Sequence, residues 1–161
     1  MPKKEKLHKT NAMREVEASG YDFQLHSFES KEALSGVEVA KVLGIDPDRV
    51  FKTLVTQAKS GAYYVFMVPV AKELDLKKAA QSVKEKAVSM IPSRELLPLT
   101  GYMHGGCSPL GMKKQFPTVI DETALLFDAI SFSAGRIGAQ IEMSADDLAK
   151  MTGATFSDLV S

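Results

Sequence analysis

This chain of 161 residues lacks a pair of cysteines and an excess of charge of either sign, and both absences restrict its location and its partners. It has a single cysteine, Cys107, so no disulfide can form within the chain, which favours a reducing cytoplasm. Its 20 basic and 20 acidic side chains cancel. This balance disfavours binding of nucleic acid by overall charge alone, but it leaves a local basic patch open.

Long hydrophobic segments are also missing. The longest apolar run, residues 62–71, is far shorter than the roughly 20 residues of a membrane helix. The N-terminus lacks the apolar segment of a secretory signal, so we expect neither a signal peptide nor contact with a membrane.

The composition is that of one soluble domain, which we place at residues 1–161. Hydrophobic residues make up 45% and charged residues 25%, which at this length is enough for one core. Residues 1–9 carry four lysines and one glutamate. They are expected to form a flexible basic tail, or else an arm that contacts phosphate.

Helix and strand signals alternate along the chain. Thr10, Asp75 and Ser144 can each cap a short helix. Residues 23–28 alternate apolar and polar, which predicts a half-buried strand with His26 exposed. Further apolar runs predict about six or seven strands in all. Because short strands in hairpins alternate with short helices, the pattern favours an α/β (α+β) domain with a mixed, mostly antiparallel, barrel-like sheet flanked by helices.

The segment Gly101–Gly111 is the most informative part of the sequence. It holds four glycines and Pro109 in eleven residues. Glycine lets the backbone approach a ligand closely and direct successive N–H groups at it, as a carbonyl oxygen or a phosphate requires. The alternative is a plain tight loop between two elements.

Nucleophilic and metal chemistry receive little support. Cys107 with His104 three residues earlier could form a nucleophile and its base, but sequence neighbours rarely supply that pair. The three histidines, His8, His26 and His104, lack the spacing of metal ligands. We therefore expect no metal and no cofactor.

Lys52 and the segment Ser133–Gly138 are further candidates. Lys52 interrupts an apolar strand, so it either protects a sheet edge or points into a cleft that holds phosphate or ribose. Gly135 and Gly138 suit a hairpin turn, and Ser133 could offer a hydroxyl to the same cleft.

Several of these segments together resemble one family. They are Val50-Phe-Lys-Thr-Leu-Val55, Gly101-Tyr-x-x-Gly-Gly-x-Ser-Pro-Leu-Gly111 and Ser133-x-Gly-x-x-Gly-x-x-Ile-Glu142, with a Phe-Gln-Leu-His strand before them and a Ser-Ala-Asp-Asp-Leu-Ala-Lys helix after them. Their order and spacing resemble the bacterial YbaK/EbsC family, the free-standing relatives of the editing domain inserted in bacterial prolyl-tRNA synthetase. The resemblance covers essentially the whole chain and is nearest to the Cys-tRNA(Pro) deacylase branch.

The resemblance implies a small mixed β-barrel flanked by helices, and an enzyme that works without a metal. It implies hydrolysis of the ester that joins a wrong amino acid to the 3′ end of tRNA. The expected substrate is Cys-tRNA(Pro), with Cys-tRNA(Cys) as a secondary one. The expected partners are mischarged tRNA and prolyl-tRNA synthetase, and the expected state is a monomer.

The resemblance also assigns roles to residues. Lys52 matches the family lysine, expected to contact the terminal adenosine or its phosphate. The loop from Gly105 to Pro109 matches the Gly-x-x-x-Pro loop, whose backbone amides are expected to bind the aminoacyl carbonyl. In this branch the substrate's own thiol is thought to attack its ester. The candidate catalytic set is Lys52, Gly105, Gly106 and Ser108, and the candidate binding set adds Phe28, Cys107, Pro109, Gly111, Ser133, Gly135, Gly138 and Gln140.

Two residues depart from the pattern of that branch. Phe28 stands where it has a tyrosine, and Gln140 stands where it can carry an aspartate. Either change can alter amino-acid selectivity or the route of attack. A deacylase for alanine or serine, a hydrolase that uses Cys107, and a non-catalytic module that binds tRNA ends therefore remain open.

Overall fold

The helices follow the capping signals of the sequence. The structure is a computed structural model that describes residues 9–29 and 34–161. Thr10, Asp75 and Ser144 accept hydrogen bonds from backbone N–H groups of the first helical turns, as predicted. The α-helices within these ranges are α1 (Asn11–Ser19), α2 (Gly36–Leu43), α3 (Leu76–Ser82), α4 (Leu96–Thr100) and α5 (Ala145–Thr152).

The described ranges contain eight strands, which form two sheets. The larger sheet has the order β4-β2-β3-β5-β8 and the smaller one has the order β1-β7-β6. Pairs β3–β5 and β5–β8 are parallel and the other pairs are antiparallel. The strands are β1 (Gln24–Ser27), β2 (Phe51–Ala58), β3 (Tyr63–Pro69), β4 (Val88–Met90), β5 (Thr118–Asp121), β6 (Ile130–Ser133), β7 (Ala139–Met143) and β8 (Thr155–Ser157).

The predicted α+β domain with a mixed, mostly antiparallel sheet is confirmed, but the sheet does not close into a barrel. A parallel bridge between Val50 and Ser131 is the contact that joins the two sheets at one corner. Strand β8 is the element that the sequence analysis missed, because its pairing with β5 depends on residues far away in the sequence.

The two faces of the joined sheets differ in polarity. Residues opposite each other in a ladder project to the same face, and successive residues alternate. The face of Phe51, Phe132 and Ile141 packs into the main core, where all three are at most 2% exposed. By register, the opposite face carries Lys52 and a set of polar side chains, namely His26, Ser131, Ser133, Gln140 and Glu142.

The polar face ends in an ion-paired cluster. Glu142 contacts His26 Nε2 at 2.7 Å and Arg49 Nη2 at 2.6 Å. His26 is therefore half-buried, and Leu25 beside it is 43% exposed, the reverse of the predicted alternation. Burial raises the pKa of Glu142, but hydrogen bonds with His26 and Arg49 outweigh it and hold the pKa below its ordinary 4.5.

We expect Glu142→Gln to destabilise the fold by about 1 kcal/mol at pH 7, because a carboxylate bonded to two partners is lost. The lowered pKa makes this contribution present above pH 4.5 and lost as the pH falls through the folded value. Urea unfolding of the unchanged protein and of Glu142→Gln across this pH range measures the difference in their free energies of unfolding. The exposed Glu122→Gln is the matched control. A difference that stays constant with pH would contradict a stabilising role of the Glu142 carboxylate.

Candidate functional site

A cavity in the described part of the structure opens beside strand β2. It has a volume of about 360 Å³. This lies within the usual range for small-molecule sites, roughly 300–1,000 Å³. It is lined by Leu34–Gly36, Val39, Val50–Val55, Val70, Met90, Ile91, Ser93, Leu96, His104, Gly105, Cys107, Ser133 and Gln140.

The cavity exists because one edge of β2 is only partly covered. On that edge, β6 touches β2 at Val50 and β4 pairs with it from Thr56 onward. Successive residues of a strand direct their backbone groups to opposite edges. The Val50 carbonyl accepts a hydrogen bond from the N–H of Val70, on the edge of β2 that pairs with β3. The Val55 carbonyl accepts one from the N–H of Ile91, on the opposite edge, where β4 pairs. Thr53 lies two residues before Val55 and so directs its backbone groups to this second edge. The backbone N–H and C=O of Thr53 therefore face the gap.

Three predicted site residues meet on one wall of this cavity. Lys52 shares a face with Ser133 and Gln140, which are directly opposite each other on β6 and β7. Gln140 Oε1 accepts a hydrogen bond from Ser131 at 2.9 Å, and Ser133 Oγ accepts one from the Gly135 N–H at 3.1 Å. The described lining contains no aspartate or glutamate, so Lys52 gives the cavity a positive character.

The glycine-rich loop contributes only part of its length to the cavity lining. His104, Gly105 and Cys107 line the cavity. The Gly106 N–H is already bonded to the Met103 carbonyl at 2.9 Å, so that amide is not free for a ligand. A Cβ on Gly106 would lie 3.0 Å from the Arg136 Cα, so this glycine lets the two glycine-bearing loops touch.

The remaining loop residues of the predicted set do not line the cavity. Ser108 is fully buried and its Oγ accepts from the Leu110 N–H at 3.3 Å. Pro109 is also buried, and Gly111 packs against the start of α1. The structure therefore does not bring Ser108, Pro109 or Gly111 to the cavity, and all three are buried in the packed interior.

Phe28, Gly135 and Gly138 also lie outside the cavity lining. The Phe28 N–H donates to the Gly138 carbonyl at 2.9 Å, which extends the pairing of β1 with β7. Gly135 and Gly138 have φ values of 101° and 92°, as the predicted hairpin turn requires. Their role in the described structure is to shape the turn that carries Ser133.

The environment of Cys107 is unsuited to a nucleophile. Burial raises the pKa of its thiol from 9.0 to about 12, although a hydrogen bond with Thr100 lowers it in part. The reactive form of cysteine is the thiolate, which such a pKa disfavours at neutral pH. Cys107 is thus a packed lining residue, and its environment does not favour a nucleophilic role.

Thr53 is a cavity residue that the sequence analysis missed. Its Oγ1 is buried and has no hydrogen-bond partner among the described residues. A threonine in an apolar strand is ordinary, so only the adjacent Lys52 could have drawn attention to it. The other such atom is Arg136 Nε, in the turn that packs on Gly106.

Two searches of the described residues were negative. In residues 9–29 and 34–161, no three or more histidine, cysteine, aspartate or glutamate side chains converge as a metal site would require. The described helices also include none with the length and apolar character needed to span a membrane.

Comparison with known proteins identifies relatives of the whole chain. A family model described as the aminoacyl-tRNA editing domain matches residues 31–151. A protein of Enterococcus faecalis (strain ATCC 700802 / V583), named "Putative Cys-tRNA(Pro)/Cys-tRNA(Cys) deacylase EbsC", is 43% identical over 162 residues. That alignment covers 100% of this chain and 99% of the relative.

Solved structures agree with this relationship. One, described as "Crystal structure of a putative trans-editing enzyme for prolyl tRNA synthetase", has a TM-score of 0.82 and 25% identity, with 94% of this chain and 98% of that chain covered. Another, of a hypothetical protein, has a TM-score of 0.85 and 24% identity, with 94% and 99% covered, and supports the fold.

The family model and the full-length relative confirm the predicted resemblance and the predicted class, an enzyme that removes amino acids from tRNA. The chain belongs to the aminoacyl-tRNA editing domain family.

Proposed function

We propose that this protein is a trans-editing deacylase that hydrolyses Cys-tRNA(Pro), with Cys-tRNA(Cys) as a second substrate. The observation that carries the proposal is the cavity that Lys52 lines together with the loop residues Gly105 and Cys107. Its volume suits a terminal nucleoside that carries a small amino acid. The name of the relative from Enterococcus faecalis supports the same substrates.

In this proposal Lys52 binds the anionic end of the tRNA. An ammonium group is a compact charge that suits a phosphate oxygen or a ribose hydroxyl. The cavity lining described above has no acidic residue to compete for it. Lys52 thereby orients the terminal adenosine so that its ester reaches the glycine-rich loop.

The backbone of the loop polarises the ester. The amides at Gly105 and Cys107 are the candidates, because the Gly106 amide is bonded to Met103. Donors aimed at a developing oxyanion contribute roughly 3–4 kcal/mol each in well-studied hydrolases. Ser133 and Gln140 complete the wall on the side of Lys52.

We propose that the substrate's own thiol is the nucleophile. Its sulfur bonds to the ester carbonyl carbon, the bond from that carbon to the ribose oxygen breaks, and the thiol proton passes to the departing ribose oxygen, which becomes the free ribose hydroxyl. The products are free tRNA and a cyclic thioester, which water then opens to cysteine. This route requires no general base from the protein.

The biological setting belongs to the same proposal. The whole chain, residues 1–161, acts as one editing unit, as a monomer in the cytoplasm, alongside prolyl-tRNA synthetase. The synthetase provides much of the binding to the tRNA, which is consistent with the formal net charge of zero of this chain. Of the predicted basic tail, residues 1–8 lie outside the described residues, and Lys9 contacts Glu17 at 2.9 Å.

The test is deacylation of Cys-tRNA(Pro), Ser-tRNA(Pro) and Ala-tRNA(Pro), with and without a chelator and with and without prolyl-tRNA synthetase. We expect loss of cysteine that the chelator does not affect. Loss of alanine or serine would instead assign the protein to the branch that uses water as the nucleophile. Binding of tRNA without cleavage of any ester, even with the synthetase present, would identify a binding module and overturn the proposal.

We expect Cys107→Ala to keep deacylation within about threefold of the unchanged protein, because a thiol with a pKa of about 12 is not ionised at neutral pH. The measurement is the initial rate on Cys-tRNA(Pro), with a melting curve to confirm folding. Loss of activity in a folded variant would favour the hydrolase that uses Cys107.

A further inference from the structure

Strand β2 has a stretch of edge at the cavity with which no described strand pairs. It lies between the bridge of Val50 with Ser131 and the pairing with β4 that begins at Thr56. Thr53 is midway along this stretch and directs both its N–H and its C=O to it, because the two backbone groups of a residue in a strand share one side. Backbone groups left unpaired away from water cost free energy, so proteins provide partners for them. A ligand in the cavity can be that partner.

The cavity reaches this edge and does not stop at one face of the strand. Consecutive side chains of a strand project to opposite faces, yet all of residues 50–55 line the cavity. Ser133 on β6 and Ile91 after β4, on either side of the uncovered stretch, line it as well. Thr53 is partly exposed although its hydroxyl oxygen is buried. The exposed part of Thr53 is thus not the hydroxyl, and the uncovered edge points to its backbone.

The shape of the uncovered stretch favours a small flat ligand over a peptide strand. A strand rises about 3.3 Å per residue, so the stretch from Phe51 to Val55 is only roughly 13 Å long. Strands β6 and β4 close its two ends, whereas an added peptide strand needs an edge along which it can continue. A nucleobase forms hydrogen bonds with its edge and stacks on apolar side chains. Ile91 and Leu96 provide such side chains in the lining.

The hydrogen-bond acceptors around this edge restrict which base fits. The side-chain oxygens of Ser133, Gln140 and Ser35 each accept a hydrogen bond from within the protein. Lys52 offers donors only. The Thr53 carbonyl has no partner in the strand ladders on this edge. It is therefore an acceptor available to an amino group of a ligand, and the N–H of the same residue is a donor beside it.

We propose that Thr53 recognises the base of the terminal adenosine through its backbone. Its C=O accepts a hydrogen bond from the adenine N6 amino group, and its N–H donates one to the adjacent ring nitrogen, N1 or N7. The inference rests on the proposed function and deepens it, because Lys52 binds the phosphate or ribose and the next residue binds the base. Hypoxanthine carries a carbonyl in place of the amino group, so its O6 would face the Thr53 carbonyl and be rejected.

The test titrates the ¹⁵N-labelled full chain with adenosine 5′-monophosphate (AMP) and four analogues, followed by NMR. The analogues are inosine 5′-monophosphate (IMP), purine riboside 5′-monophosphate, and the 1-deaza and 7-deaza forms of AMP. All five ligands carry the same ribose and phosphate, so Lys52 does not distinguish them. In parallel, deacylation is compared between Cys-tRNA(Pro) with its natural terminal adenosine and the same tRNA ending in inosine.

We expect AMP to bind at least about tenfold more tightly than IMP, as a two-point contact with a base edge provides. Purine riboside 5′-monophosphate lacks only the amino group and should bind about three- to tenfold more weakly than AMP. One of the two deaza forms should weaken to a similar degree, which identifies the ring nitrogen. AMP should shift the amide signal of Thr53, and terminal inosine should lower kcat/KM by at least about tenfold.

Variants separate the backbone from the side chains. Thr53→Pro removes the N–H at an edge position where proline is tolerated, and Thr53→Ala is its matched control, which keeps the N–H. We expect the preference for AMP over IMP to fall in Thr53→Pro and to stay in Thr53→Ala. If Thr53→Pro does not fold, the analogue series and the Thr53 amide signal decide. Gln140→Ala and His104→Ala should keep the ratio of the two affinities, and loss of this ratio in either would assign recognition to a side chain and overturn the inference.

The failure of this inference is distinguishable from failure of the proposed function. Equal affinity for AMP and IMP, or a Thr53 amide signal that AMP leaves unmoved, would overturn the inference. Absence of AMP binding at millimolar concentration with equal cleavage of the two tRNAs would do so as well, while the proposed function stands. Because the titration with AMP needs no ester, selective AMP binding in a protein that cleaves no ester would support base recognition and refute only the deacylase. A protein that binds no AMP and cleaves neither tRNA overturns both.

Discussion

Lys52→Ala is expected to lower kcat/KM for Cys-tRNA(Pro) by about 100-fold, because a hydrogen bond between charged groups contributes about 1.5–3 kcal/mol. The ammonium faces a cavity whose described lining contains no other full charge, so no neighbouring residue replaces it. The loss should appear mainly in KM and in tRNA affinity, since the contact is made before the ester is attacked.

The salt dependence of tRNA affinity gives a second readout of the same variant. Removal of one phosphate contact should make the slope of log affinity against log salt shallower by about one unit. Lys52→Arg should keep most of this slope. Lys59→Ala is the control, because Lys59 is an exposed lysine just beyond the other end of β2. Activity of Lys52→Ala within twofold of the unchanged protein would refute the site assignment.

Gly111→Ala is expected to destabilise the protein by about 2–4 kcal/mol. A Cβ at this position would lie 2.6 Å from backbone atoms of Asn11 and Ala12, and 2.6 Å from the Tyr102 hydroxyl oxygen. A left-handed conformation costs a residue other than glycine about 1–2 kcal/mol, and overpacking adds about 1–3 kcal/mol. Because Ala12 is fully buried and backbone cannot rotate away, α1 must shift.

Gly153→Ala separates these two causes. Gly153 has the same φ of +74° as Gly111, but a Cβ there would meet no atom within 4 Å. This control should therefore lose only about 1–2 kcal/mol. Urea unfolding of both variants measures the difference. Equal losses in the free energy of unfolding would mean that steric contact with α1 adds nothing to the destabilisation caused by Gly111→Ala.

Local sequence signals were sufficient for the helix ends and for most strands. Thr10 and Ser144 cap helices as predicted, because a capping side chain bonds to N–H groups two or three residues away. The hairpin of β2 and β3 follows from two β-rich runs separated by a short loop. Strand β8 escaped prediction because its partner, β5, is more than 30 residues away in the sequence.

The candidate site was predictable only where residue type restricts the role. A lysine inside an apolar strand stands out, and Lys52 does line the cavity. Glycines in one motif look alike in the sequence, but Gly105 lines the cavity whereas Gly106 and Gly111 make room for neighbouring backbone. Whether a glycine lines the cavity or makes room for backbone depends on contacts with residues 10–12 and 133–138. These contacts cannot be read from the motif itself.

By itself, the sequence determined the family, the helix caps, the strand pattern and the choice of Lys52 as a candidate site residue, because each depends on residue type and local spacing. The tertiary structure alone decided that β2 has an uncovered stretch of edge between its contacts with β6 and β4. It also decided that the Gly106 amide is bonded to Met103 and that the Thr53 hydroxyl has no partner in the described structure. Cavities and unpaired polar groups depend on contacts between segments that are far apart in the sequence. Such contacts produce no local sequence pattern.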